Sequence, residues 1–113
     1  MDNQIEISFR SDKEHVQAWE AALKLLVQDG TAGMEFQDHM LKHFGKSVDE
    51  KLEEFLEEWG TEVFYVEGWD QENSQFSFEI PAIDDWDAQI DQLRSLFSLC
   101  PISGLKIELF GEE

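Results

Sequence analysis

Residues 5 to 10 alternate Ile5, Ile7 and Phe9 with Glu6, Ser8 and Arg10, and a few residues later the apolar spacing changes to Val16, Trp19, Leu23, Leu26 and Val27. A period of two giving way to a helical period restricts this stretch to a strand followed by a helix, each with one apolar face that must find a core. Ser11 and Glu14 have the spacing of a capping box, and Gly30 can take the left-handed conformation that ends a helix. The helix is therefore predicted over residues 12–29.

Met34, Met40, Leu41 and Phe44 predict a shorter helix that stops at Gly45. Ser47 and Glu50 form a second capping box, after which Val48, Leu52, Phe55, Leu56 and Trp59 make an apolar stripe ending at Gly60. Thr61 to Glu67 is rich in β-branched and aromatic residues, and Gln75 to Ile80 alternates strictly, so the two read as a hairpin closed by Pro81. Gly68 to Ser74 would be its connection, with Trp69 at or near the tip. Asp84 or Asp85 can cap a last helix whose apolar positions are Trp86, Ile90, Leu93, Phe97 and Cys100, with Pro101 as its stop. After Gly104 a final strand alternates Leu105, Ile107 and Leu109 with Lys106, Glu108 and Phe110.

With the second and third helices taken as additions to the first crossover, the order is β-α-β-β-α-β. That order predicts an α+β fold, a ferredoxin-like plait with extra helices in the first crossover and an antiparallel four-stranded sheet. One sheet face should pack on helices and the other should stay partly open. At 113 residues the chain fits a single globular domain, 1–113. No internal repeat or low-complexity linker interrupts it.

The opening Asn3-Gln4-Ile5-Glu6-Ile7, the Trp59-Gly60-Thr61 step from helix toward strand, and the apolar strand ending at Pro81 resemble small uncharacterised ferredoxin-like domains of bacterial plasmids and prophages. The closing helix into Phe97 and Pro101, followed by a last strand, fits the same likeness. What the resemblance implies is the fold and a mobile-element setting. It brings no catalytic residues.

Charge narrows the class of partner. Residues 1–51 hold 10 acids against 6 bases and residues 52–113 hold 16 acids against Arg94 and Lys106, which is -4 followed by -14 and sums to -18. Nine Phe and four Trp are too many aromatics for an acidic disordered tail, so the charge is carried by a folded body. A field of this sign repels nucleic acid and anionic membrane surfaces and attracts basic proteins. Direct nucleic-acid binding and membrane association are therefore not expected. No stretch approaches the roughly 18 apolar residues of a membrane span, and a single Cys excludes an intrachain disulfide, so the simplest location is the reducing cytoplasm.

The densest acid lies on the third predicted helix. Asp49, Glu53 and Glu57 form one row at i, i+4 spacing, and Glu50, Glu54 and Glu58 form the next, with Lys51 the only nearby base. Like charges so placed cost a few tenths of a kcal/mol per pair. The run reads either as a solvated face or as an interface for a basic patch, and Asp70, Glu72, Asp84, Asp85, Asp87, Asp91, Glu112 and Glu113 extend the field. Trp69 beside Asp70 would be an apolar anchor inside an acidic rim, or a cover folded over the hairpin. The partner-binding residues predicted are Glu50, Glu53, Glu54, Glu57, Glu58, Trp69, Asp70 and Glu72.

Other constellations point to no chemistry. His39 and His43 stand one turn apart with Glu35 a turn earlier, but they lack the Glu that follows the first His in zinc proteases and have no evident fourth ligand. Cys100 at a helix C-terminus in apolar surroundings is a poor thiolate. Asp70-Gln71-Glu72-Asn73-Ser74 offers oxygens without the Gly and distant Glu of a calcium loop. No phosphate-cradling loop or nucleophile triad is present, so the reading is of a protein that is not an enzyme and needs no metal or cofactor. The expectation is an acidic binding module that inhibits or regulates a basic-surfaced protein. The alternative is a small assembly protein that homodimerises through its open sheet face or an edge strand, its acid serving solubility alone.

Overall fold

The computed structural model describes residues 3–110; Glu112 and Glu113 lie outside the described residues. The first strand, β1 (Gln4–Ser11), leads through a 3-10 turn at Lys13–His15 into α1 (Val16–Asp29). Two further helices follow, α2 (Met34–Phe44) and α3 (Lys46–Trp59), and then a second 3-10 turn at Thr61–Val63. β2 (Trp69–Glu72) and β3 (Gln75–Pro81) form a hairpin, and α4 (Trp86–Phe97) and β4 (Ile102–Phe110) complete the order. This is a mixed α+β fold in which four strands, in the order β2-β3-β1-β4, pair antiparallel at every seam. No helix among the described residues is long and apolar enough to cross a membrane.

The period-two alternation sorts the two faces. Ile5, Ile7 and Phe9 of β1, Phe76, Phe78 and Ile80 of β3, and Ile107 of β4 are buried in one cluster with Trp19, Leu23 and Leu26 of α1 and Leu93, Leu96 and Phe97 of α4. Phe36 and Met40 of α2 join it, as do Leu52 and Phe55 of α3. All four helices thus cover one face. Phe9 lies at the centre, its ring 4.6 Å from Trp19, 5.7 Å from Phe76 and 5.8 Å from Phe97. Fully burying aromatic side chains of this size contributes about 2 to 3 kcal/mol each, which is how a chain with so much like charge holds together. The opposite face carries Glu6, Ser8, Arg10, Ser77, Glu79, Lys106 and Glu108.

Local signals differ from the sequence expectations in instructive ways. Thr61 to Glu67 is not a strand. Phe64 and Val66 are buried and Tyr65 and Glu67 exposed, but the burial is against the helix layer, with the Phe64 ring 5.7 Å from Phe36 and 5.8 Å from Phe55. Alternation records one-sided burial of the chain, and here no neighbouring strand accompanies it. β2 instead begins at Trp69, which is a strand residue and not a loop tip, and a two-residue turn at Asn73 and Ser74 joins it to β3. Asn73, with φ 58°, is the only described non-glycine residue at positive φ, a conformation that Asn tolerates.

The caps also move. Ser11 stays in β1 opposite Ile102, and Asp12 caps the first turn, its carboxylate accepting from the His15 amide at 3.0 Å. α3 begins at Lys46 directly after Gly45, so Ser47 lies inside the helix. Gly104 does not precede β4 but sits within it at φ 62°, where the register with β1 shifts between Ser8 and Arg10. Gly104 and Leu105 together oppose Phe9, a bulge whose first residue needs the left-handed conformation that Gly adopts without strain.

Candidate acidic interface

Strand register brings together carboxylates that are far apart in the sequence. Glu6 is directly opposite Glu79 on β3 and Glu108 on β4, so three acids form a row across the open face. Beside it runs the row Asp70, Ser77, Ser8 and Lys106, and beyond that Glu72, Gln75 and Arg10. Like charges directly opposite destabilise an antiparallel pair by a few tenths of a kcal/mol or more. The Ser77 hydroxyl donates to Glu6 at 3.4 Å, a long contact that leaves most of that cost in place.

An open groove of about 1220 Å³ runs over the Glu6–Glu79 end of this face and around the β3 edge. The carboxylates of Glu6, Glu67, Asp70, Glu79 and Asp84 line it, and among the described residues no Lys, Arg or His does. Tyr65, Trp69 and Trp86 supply aromatic walls. Tyr65 is 40% exposed and Trp86 36% exposed, large rings held at the surface beside acids. Trp86 is thus a wall of the groove and not the core position its helical spacing predicts. One wall, Pro81 to Asp84, is held by Gln89 of α4, fully buried: its side-chain oxygen accepts from the Ile83 amide and its nitrogen donates to the Pro81 carbonyl, both at 3.0 Å.

Trp69 is half-buried and shares the helix-side face of the sheet with Phe78, its register partner. Its indole N–H donates to the Gln71 side-chain Oε1 at 3.3 Å, and the Gln71 side-chain nitrogen in turn donates to Glu20 of α1 at 2.6 Å. These contacts fix the ring at the sheet edge. Anchored aromatics next to carboxylates suit a guanidinium or ammonium group, which gains from both the anion and the ring face.

The predicted partner-binding residues fall into two separate fields. Asp70 lies in the groove, and Glu72 is on the same sheet face at the hairpin end. Glu50, Glu53, Glu54, Glu57 and Glu58 are exposed on α3, in the helix layer on the other side of the sheet. Lys46 approaches Glu50 at 4.0 Å and Lys51 approaches Glu54 at 3.7 Å. Glu58 is engaged at the seam with α4: the Trp59 indole donates to Gln92 at 2.9 Å and Gln92 donates to Glu58 at 2.8 Å. Sequence reasoning did not single out Glu6, Glu67, Glu79, Tyr65 or Trp86. The alternation in β1 and β3 marks Glu6 and Glu79 as facing away from the core, and that was the available signal.

His39 Nε2 is 2.8 Å from the Ala18 carbonyl, which makes that nitrogen the donor and pins α2 to α1. The His43 ring is 4.3 Å from that of His39 and titrates below its ordinary value, through desolvation first and then the positive charges of His39, Lys42 and His15. Among the described residues no three His, Cys, Asp or Glu side chains converge as a metal site would require. Comparison with known protein families, curated proteins and solved structures finds no match to this chain.

Proposed function

We propose that this chain is a non-enzymatic, cytoplasmic acidic binding module that inhibits or regulates a basic-surfaced protein. The observation that carries this reading is the groove lined by carboxylates and aromatic rings with no basic side chain among the described residues. A cationic side chain entering it would meet two or more carboxylates and a ring face, while the acids of α3 add long-range steering. A nucleic-acid-processing enzyme, a toxin or a defence complex would be such a partner. Such proteins carry cations arranged for phosphates, which a folded polyanion can occupy in their place. The fold is read as a ferredoxin-like plait with α2 and α3 added to the first crossover. Its support is the order β2-β3-β1-β4 with antiparallel neighbours, the interleaving of two split βαβ units.

The test separates place from total charge. One variant carries Glu67→Lys, Asp70→Lys and Glu79→Lys in the groove, and another carries Glu53→Lys, Glu54→Lys and Glu57→Lys on α3, so both change the net charge equally. Partner capture from the native cell is then compared across a salt gradient. The groove variant should lose a basic partner at an ionic strength where the α3 variant keeps it. Equal losses would mean that the acid is a general coat, and retention by the groove variant would remove the groove from the interface.

A further inference from the structure

β4 is the outer strand on the side away from β2, and its far edge meets no other strand among the described residues. The ladder sets the phase of its peptide groups. The Ala82 amide donates to the Asn3 carbonyl and the Ser11 amide to the Ser74 carbonyl, both along the β1–β3 seam. Odd-numbered residues of β1 therefore turn their N–H and C=O toward β3 and even-numbered ones toward β4. Gln4, Glu6 and Ser8 face Phe110, Glu108 and Lys106, so these three spend their peptide groups inward. Leu105, Ile107 and Leu109 point theirs outward, where no element among the described residues meets them.

Natural edges are usually short, broken by proline or charged on the buried side. β4 is interrupted by the bulge at Gly104, but beyond it Leu105 to Phe110 run unbroken, with no proline and with apolar Leu105, Ile107 and Leu109 on the helix side. Its cation, Lys106, stands two positions from Glu108 on the open face. Turning β4 antiparallel onto a copy of itself about Ile107 places Lys106 opposite Glu108 twice, Leu105 opposite Leu109 twice, and Phe110, 47% exposed, opposite Gly104. That register alone satisfies the outward peptide groups within the flat part of the strand. Centring on Lys106 or Glu108 would bring like charges together and close only two of the three outward pairs within that part of the strand, and centring on Leu105 would run into the bulge.

We infer that the chain forms a symmetric homodimer by antiparallel pairing of β4 with β4 of a second copy, centred on Ile107. Each of the three outward pairs closes two N–H···O bonds, and the cross-strand Lys106–Glu108 pairs set the register. The sheet becomes continuous through the two copies, with both open faces on one side. No β4 residue lines the groove, so the inference stands apart from the basic-partner reading and survives its failure. The net charge of -18 per copy opposes association, so the dimer tightens as salt is added.

Sedimentation of the full chain over a range of concentrations near physiological ionic strength should show a monomer–dimer equilibrium. Lys106→Glu places acids opposite acids and should weaken the dimer about tenfold, equivalent to about 1.4 kcal/mol. The exchange variant Lys106→Glu/Glu108→Lys restores the opposite charges and should restore the dimer, with circular dichroism confirming that each variant is folded. A mixture of Lys106→Cys and Glu108→Cys chains should form disulfide-linked pairs in greater yield than either alone, and buried Cys100 stays out of the reaction. A wild-type chain that stays monomeric, a dimer indifferent to Lys106→Glu, or a folded exchange variant that fails to recover would each overturn the inference.

Discussion

Cys100 is a buried thiol whose Sγ lies 3.8 Å from the Leu96 carbonyl. Burial pushes its pKa from 9.0 up to about 12, because the thiolate has no solvent to accept it. The raised value has a definite consequence for stability. The contribution of this group is fully present below about pH 9 and is lost as pH rises toward about 12. Cys100→Ala removes the titration. Urea unfolding at about pH 8 and about pH 10 should therefore show a smaller alkaline loss for the variant than for the parent, with the Tyr and Lys contributions common to both. Parallel losses in the two proteins would show that the thiol does not titrate across folding. Trp19 is a second case of a buried polar atom at this scale: its indole N–H finds no partner, and the ring is retained for its packing on Phe9 and Phe44.

Gln89 couples two elements, because its amide closes the end of β3 onto the first turn of α4. Gln89→Leu roughly keeps the volume but leaves the half-buried Ile83 amide and Pro81 carbonyl without their side-chain partner. The expected cost is about 1 to 3 kcal/mol, read from urea midpoints, with faster hydrogen exchange at Ile83 marking the released wall. Exchange at Ile83 unchanged in a folded variant would count against the clamp. Elements were legible in the sequence wherever periodicity and a terminal glycine agreed: Gly30, Gly45 and Gly60 follow the last turns of α1, α2 and α3. The hairpin was legible only in its second strand. Phe64 and Val66 imitate strand alternation while packing on α2 and α3, whereas Trp69 to Glu72, the true β2, has three polar residues and owes its place to register with β3. The acid of α3 was visible because it is contiguous. The row of Glu79, Glu6 and Glu108 was not, since it exists only after three strands align.

At the scale of the molecule the acids repel one another and little offsets them. The Lys and Arg ion pairs among the described residues are i, i+3 or i, i+4 contacts at 3.6 to 4.0 Å between exposed side chains, a class that contributes at most about 1 kcal/mol each. Screening therefore removes far more repulsion than attraction. Added sodium chloride should raise the urea midpoint of the chain, against the behaviour of proteins held by surface ion pairs. Dimerisation through β4 would push in the same direction by mass action, so the measurement belongs on the dilute Lys106→Glu variant, where assembly is weakened. A gain of 1 kcal/mol corresponds to a melting temperature higher by about 4 °C or more in a domain of this size. A midpoint that falls with salt would mean that the carboxylates are held by favourable partners, and the groove would then be a stabilising network and not a surface kept acidic for a cationic ligand. A midpoint that rises identifies the acid as a cost to folding, one that a bound basic partner, as proposed, would relieve.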